Sequence, residues 1–235
     1  MSDTAVIAAD SLNAVDLFRG LPADDRQAIA ERLRAHRYPA GKHIVAQADD
    51  CEEVYFILSG SVRVTYSVRS GKAVQFRDQH AGEMFGEMSA IDNLPRSAEV
   101  TALSDVFLAT AEAGSFLDIA SGYPAVARRL LGQLTARIRG LSDRVVEFST
   151  LGVNNRIHAE LLRLAREHAL SGNCASINPS PTHADIAARV STHREAVTRE
   201  LAVLEKGGIL TRGRGSLEIT DVARLEDMVS NVFGD

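Results

Sequence analysis

From Val62 to Arg69 apolar and polar residues alternate without a break: Val62, Val64, Tyr66 and Val68 against Arg63, Thr65, Ser67 and Arg69. A period of two marks a strand with one face buried and argues against a helix over that stretch. The neighbouring runs EVYFIL, AVQF, AEVTAL and DVFLAT are short, rich in β-branched and aromatic residues, and separated by Gly, Asp or Ser. Several short strands at close spacing predict a sandwich or barrel from about Tyr38 to Ala111, with Gly60 and Gly71 where turns are needed.

On either side the period changes. Asn13 to His36 reads as a helix with Leu17, Phe18, Leu21, Ile29 and Leu33 as its apolar positions. Pro124 to Leu151 is helical and nearly heptadic: Leu131, Ile138 and Val145 take one seam position, and Ala127, Leu134, Leu141 and Phe148 the other. Branched residues at the first and leucine at the second favour two parallel strands of a coiled coil, whereas a single amphipathic helix lying on the barrel is the plainer alternative. Gly132 and Gly140 each cost such a helix about 1 kcal/mol relative to alanine, so tertiary packing must hold it. Asn155 to Ala169 is helical again, with Ile157, Leu161, Leu162 and Leu164 apolar, and SGNCASINPSP then breaks the pattern.

At 235 residues the chain can bury one large or two modest cores. Two cysteines, Cys51 and Cys174, make no disulfide framework and are too few for a four-cysteine cluster. The N-terminus carries no basic region followed by an apolar run, and no stretch approaches about 20 apolar residues, so a cytoplasmic protein without a membrane segment is expected. A metalloenzyme built in the barrel would need several converging histidines, and only His43 and His80 fall there, so neither a metal nor enzymatic activity is expected.

The stretch from Thr182 to Thr220 predicts a helix–turn–helix. Thr182 is an N-cap with Asp185 three residues on, a first helix ends near Val190, Ser191–His193 turns the chain, and a second helix runs from Arg194 to Gly207-Gly208. Val197, Leu201 and Leu204 form the buried face of that helix, which leaves Arg194, Glu195, Thr198 and Arg199 near its start on the other side. A recognition helix presents side chains to base edges from that position, although Glu195 and Arg199 also fit a surface i,i+4 pair. ILTRGRGSLEIT follows as strand, basic glycine turn and strand, a wing able to lie against phosphates. Although the net charge is −5, six cations face four anions between Thr182 and Gly215.

Three blocks in order, ILSGSVRV, FGEMSAIDNLPRSA and THREAVTRELAVLEKGGIL, make the chain resemble the cyclic-AMP receptor protein and FNR (CRP/FNR) family of bacterial transcription regulators. The resemblance runs from about Leu17 to the end of the wing. It implies an α+β fold: an N-terminal cyclic-nucleotide-binding β-roll of jelly-roll type over residues 1–122, a long dimerisation helix over 123–151, and a C-terminal winged helix–turn–helix over 152–235. It further implies a homodimer that binds palindromic double-stranded DNA and meets RNA polymerase.

Within that family FGEMSAIDNLPRSA resembles the phosphate-binding cassette. Gly86 lets the backbone come close to a ligand, the helix start offers N–H groups, and Arg96 supplies a fork of donors that lysine lacks. By resemblance Ser97 adds donors, Glu87 accepts from a ribose 2′-hydroxyl, and Met88 joins the ligand set; a structural Glu–Arg bridge is the alternative. Leu141-Ser142 stands where the receptor uses Thr-Ser to reach adenine. Leu141 has no polar group for a base edge, so cyclic AMP is implied with cyclic GMP left open, and Ser142 remains to read the base. Arg137, one turn earlier, is placed to pair with an acid of the sensor. On DNA, Arg194, Glu195 and Arg199 match the family's Arg-Glu-x-x-x-Arg pattern, which implies TGTGA-like half-sites about one helical turn apart, with Thr182, His193, Thr198 and Arg212 as further contacts. Ser191, where the turn usually has glycine, and His193 depart from the pattern. A regulator of the same fold that answers to another signal without a nucleotide is the alternative reading.

Overall fold

A computed structural model describes residues 7–67, 73–168 and 170–233. Val68, Arg69, Gly71 and Ala169, named above, lie outside the described residues. The chain divides into two units, Met1–Ile138 and Arg139–Asp235.

The first unit begins with a 3-10 turn, Ala9–Ala14, followed by helix α1, Ala23–Ala30. The single helix expected from Asn13 to His36 is therefore not formed. Gly20 adopts φ +70° and Pro22 is the N-cap of α1, so the chain turns between the two pieces. The helical part ends at Ala30, and after a short turn the chain pairs in a sheet from Arg34. The apolar positions were nonetheless read correctly: Leu17, Phe18, Leu21, Ile29 and Leu33 are all in the core.

Eight strands follow: β1 Arg34–Tyr38, β2 His43–Val45, β3 Val54–Ser59, β4 Ser61–Ser67, β5 Ala73–His80, β6 Met84–Phe85, β7 Glu99–Ala102 and β8 Val106–Ala111. They form two antiparallel four-stranded sheets, ordered β1-β8-β3-β6 and β2-β7-β4-β5. Val45, Val62, Val100 and Ala102 of one sheet meet Tyr55, Ile57, Phe85 and Leu108 of the other, which makes the interior of the roll. The first sheet is covered on its outer face as well: Val54, Phe56 and Ala109 pack against Leu12, Phe18, Phe116 and Val126. Burial on both faces explains why β3 is a continuous apolar run while β4 alternates. Gly60 makes the β3–β4 turn at φ +85°, as expected.

Between β6 and β7 lies the six-residue helix α2, Glu87–Asp92; after β8 come α3, Ala113–Gly122, and α4, Pro124–Thr150. The first turns of α4 anchor in the core through Val126 and Leu130, with Leu134 partly buried against it. Along the rest of its seam Leu131, Ile138, Leu141, Val145 and Phe148 are exposed.

The second unit contains α5 Val153–Glu167, β9 Leu170–Ser171, β10 Cys174–Ile177, α6 His183–Arg189, α7 Arg194–Lys206, β11 Leu210–Arg212, β12 Leu217–Ile219 and α8 Val222–Phe233. Its four strands order as β11-β12-β10-β9. The segment SGNCASINPSP, read as a break, instead supplies β10: Ala175 and Ile177 point into the core and pair with Ile219 and Leu217 of the wing. Among the described residues no helix is long and apolar enough to cross a membrane.

Candidate functional site

The cassette is built around one glycine and one arginine. Gly86 caps α2 in the left-handed region, φ 87° and ψ 0°. An added Cβ there would come within 2.6 Å of Arg96 Nη1 and 2.7 Å of the Glu53 carbonyl oxygen, so only glycine fits. Arg96 is 4% exposed although it carries a permanent charge. Its Nη1 donates to the Gly86 carbonyl at 2.8 Å and its Nη2 to the Glu53 carbonyl, while Nε is buried with no hydrogen-bond partner. The guanidinium also lies over the Tyr55 ring at 5.8 Å, and Tyr55 stacks on Phe85 at 4.7 Å. A buried cation held by two carbonyls and a weak thiol contact, with its own Nε unsatisfied, is a poor place to rest and a good place for an anion to complete.

Glu87 is buried at 2% exposure and takes a short ion pair from Arg137 Nη1 of α4. The expected partner for Arg137 is thus an acid of the sensor, and that acid is Glu87. Ser97 is exposed beside Arg96, and Met88 is 47% exposed on α2. The structure therefore gathers Gly86, Glu87, Met88, Arg96 and Ser97 on one cassette. Leu141 and Ser142 belong to the second unit, where both are exposed on α4.

Sequence reasoning missed three neighbours of Arg96. Cys51, Glu53 and Tyr55 stand more than forty residues away and come near it because the Arg96 backbone bonds to Ala48 and Asp49 and β3 pairs with β6. Tyr55 donates its hydroxyl to Glu53 Oε2 at 3.0 Å. Burial first, then the Glu53 carboxylate and Cys51, push its phenol far above the ordinary value. No local spacing signals such a cluster.

The second unit carries the helix–turn–helix as expected. Thr182 and Asp185 form a reciprocal capping box, each contact at 3.1 Å, at the start of α6. Ser191 in the turn adopts φ 53°, a conformation that costs an L side chain and that glycine takes freely. His193 is the N-cap of α7 and makes no side-chain cap bond. Arg194, Glu195, Thr198 and Arg199 are exposed on α7, opposite buried Val197, Leu201 and Leu204. The Thr198 hydroxyl donates to the Arg194 carbonyl at 3.0 Å, which makes His183 Nδ1 the donor in its 2.7 Å contact with Thr198. Arg212 closes β11 and pairs with Glu205 at 3.5 Å. A cleft of about 160 Å³ opens beside it, lined among others by Ser180, His183, Gly213 and Gly215.

Two charges counted at the surface turn out to be internal. Arg189 is buried against Glu160 at 3.1 Å, and Glu200 is buried against His158 at 2.6 Å. Removing both leaves five cations against three anions, so the local positive excess is unchanged.

Among the described residues no group of His, Cys, Asp and Glu is arranged to hold a metal ion. Residues 35–123 match the cyclic nucleotide-binding domain, and residues 155–228 the Crp-like helix-turn-helix domain. The chain is 31% identical over 212 residues to a cyclic AMP receptor protein of Thermus thermophilus, covering 90% of this chain and 95% of that one. The crystal structure of the Thermus thermophilus catabolite activator protein aligns with a TM-score of 0.54 at 29% identity, over 92% of this chain and 99% of that one. A CooA mutant from Carboxydothermus hydrogenoformans shares the fold, with a TM-score of 0.76 at 19% identity over 97% of each chain. Roll, cassette, helix–turn–helix and both domain matches agree: the chain belongs to the CRP/FNR family of transcription regulators.

Proposed function

We propose that the chain is a homodimeric, cyclic-nucleotide-responsive regulator acting in the cytoplasm. The nucleotide binds at Gly86, Glu87, Met88, Arg96 and Ser97, and its base is read by Ser142 with Leu141 packing nearby. Cyclic AMP is the first candidate and cyclic GMP the second, since Leu141 offers a base edge no donor or acceptor. The observation that carries the reading is Arg96, a 4% exposed guanidinium whose Nε lacks an acceptor beside a glycine no other residue can replace. Cyclic phosphate oxygens supply the missing acceptors. Glu87, which pairs with Arg137, is the acceptor for a ribose hydroxyl in this reading.

The sensor at 1–122, the dimerisation helix at 123–151 and the DNA-binding domain at 152–235 then act as one switch. Ligand shifts the dimer toward the DNA-competent arrangement only by binding that arrangement more tightly. On an inverted TGTGA-like operator, Arg194 and Arg199 donate to guanine and Glu195 accepts from cytosine. With the Thr198 hydroxyl engaged internally, its methyl is the part left for a thymine methyl. Thr182, His193 and Arg212 border the phosphates, and RNA polymerase is the downstream partner.

Calorimetric titration of the full chain with cyclic AMP and, separately, cyclic GMP tests the ligand. Arg96→Lys keeps the charge but loses the fork, and is expected to weaken binding by about tenfold or more with an unchanged circular dichroism spectrum. Absence of binding with either nucleotide, seen by two methods, moves the chain to the family members that answer another signal.

A further inference from the structure

Cys51 touches the guanidinium that the nucleotide would use. We infer that it is a modification site: oxidation of its thiol by a hydroperoxide closes the nucleotide site, and bound nucleotide in turn shields the thiol. The inference rests on the nucleotide reading of Arg96.

Cys51 is a free, half-buried thiol. Its Sγ lies 3.6 Å from Arg96 Nη2, 3.8 Å from Glu53 Oε2 and 3.9 Å from the Tyr55 hydroxyl. Tyr55 is held protonated by the raised pKa already described, and Tyr38 is raised as well, by burial, then Glu53 and Cys51. Of the groups around the sulfur, Arg96 alone is cationic and under-satisfied, with its Nε buried and unpartnered. One Nη2 hydrogen is held by the Glu53 carbonyl; a thiol sulfur is a weak acceptor, so in the reduced protein the other is given up readily to a phosphate.

In the reaction the Cys51 proton goes to solvent and the thiolate attacks one oxygen of the hydroperoxide. An S–O bond forms as the O–O bond breaks; sulfur is oxidised to the sulfenic acid, and the second oxygen leaves as hydroxide from hydrogen peroxide, or as alkoxide from an alkyl hydroperoxide, and is protonated to water or the alcohol. The new oxygen, unlike sulfur, is a strong acceptor within reach of Nη2. A phosphate must then displace it, which weakens nucleotide binding by about tenfold or more. A thiol reductant restores the site.

The second cysteine, Cys174, is exposed in the other unit and serves as an internal control. The full chain is labelled with iodoacetamide, with and without saturating cyclic AMP, and each cysteine is quantified by mass spectrometry. Nucleotide is expected to protect Cys51 and leave Cys174 labelling unchanged. Affinity is then titrated before hydrogen peroxide, after it, and after dithiothreitol, in the natural chain and in Cys51→Ser. The expected result is a reversible loss in the natural chain and no change on peroxide in the variant. If untreated protein binds no nucleotide, the proposed function falls and this inference with it. If it binds, and Cys51 is oxidised without loss of affinity or does not react while Cys174 does, the inference alone is overturned.

Discussion

At the scale of single residues, two of the positive-φ positions are handled differently. Gly86 needs its missing side chain twice over, for φ 87° and for the 2.6 Å approach of Arg96. Ser191 needs only the positive φ of 53°, and its side chain is exposed. A left-handed L residue costs roughly 1–2 kcal/mol, whereas glycine adds back roughly 0.5–1 kcal/mol of chain entropy. Ser191→Gly is therefore expected to stabilise the DNA-binding unit by about 0.5 kcal/mol, read as a higher urea midpoint with an unchanged slope. A lower midpoint would mean that the serine makes a contact worth more than the strain.

At the scale of elements, α5 and α6 are joined by a buried acid. Glu160 of α5, 1% exposed, takes bonds from Arg144 at 3.0 Å, from Arg189 at 3.1 Å and from Arg163. Burial lowers the Arg144 pKa from its ordinary value, with Glu160 opposing. Glu160→Met strands the buried Arg189 guanidinium and takes the acid from partly buried Arg144, and urea unfolding should lose about 3–5 kcal/mol; Arg163→Met, at a partly exposed position, should lose under about 1 kcal/mol. His183 of α6 carries a second prediction. Burial first, then the charges of Arg212 and Arg194, lower its pKa below the ordinary 6.5, so it is held neutral in the fold. The unfolded chain binds the proton more readily, so stability rises with pH through this window. The contribution is complete above pH 6.5 and is lost as pH falls through the depressed folded value; His183→Gln should flatten that part of the urea midpoint curve against pH. These elements also show what the sequence made legible. Alternation revealed β4, and heptads, a capping box and an apolar helical face revealed α4, α6 and α7, because each signal is local. The single helix expected over 13–36 failed because apolar spacing alone does not see the turn at Gly20 and Pro22. Strand β10 was hidden in a polar, proline-rich segment because its pairing partner, β12, lies forty residues on. The cassette was legible as a run of residues, but Cys51, Glu53 and Tyr55 join it through long-range backbone bonds and sheet pairing that no window contains.

At the scale of the whole molecule, the proposed dimer rests on the exposed seam of α4. Leu131, Ile138 and Val145 are 64%, 63% and 64% exposed, an apolar line that a lone chain has no reason to keep in water. Because none of the three is needed to fill either core, charge placed there tests association without emptying a packed site. The double change Ile138→Asp and Val145→Asp is expected to give a monomer by analytical ultracentrifugation, with the far-ultraviolet spectrum retained. Each half of the operator is then read by an untethered module, so the gain from binding both at once is lost. Linking two modules commonly strengthens binding by about 10²–10⁴-fold, and operator affinity should fall by that order. The cassette residues lie in the first unit and do not depend on the seam for their contacts with Gly86, Glu53 and Arg137. The monomer is thus expected to keep nucleotide binding through the cassette while losing the operator. A dimer that persists at the same concentration would instead place the two-fold contact elsewhere on the chain and leave the apolar line on α4 to a different partner.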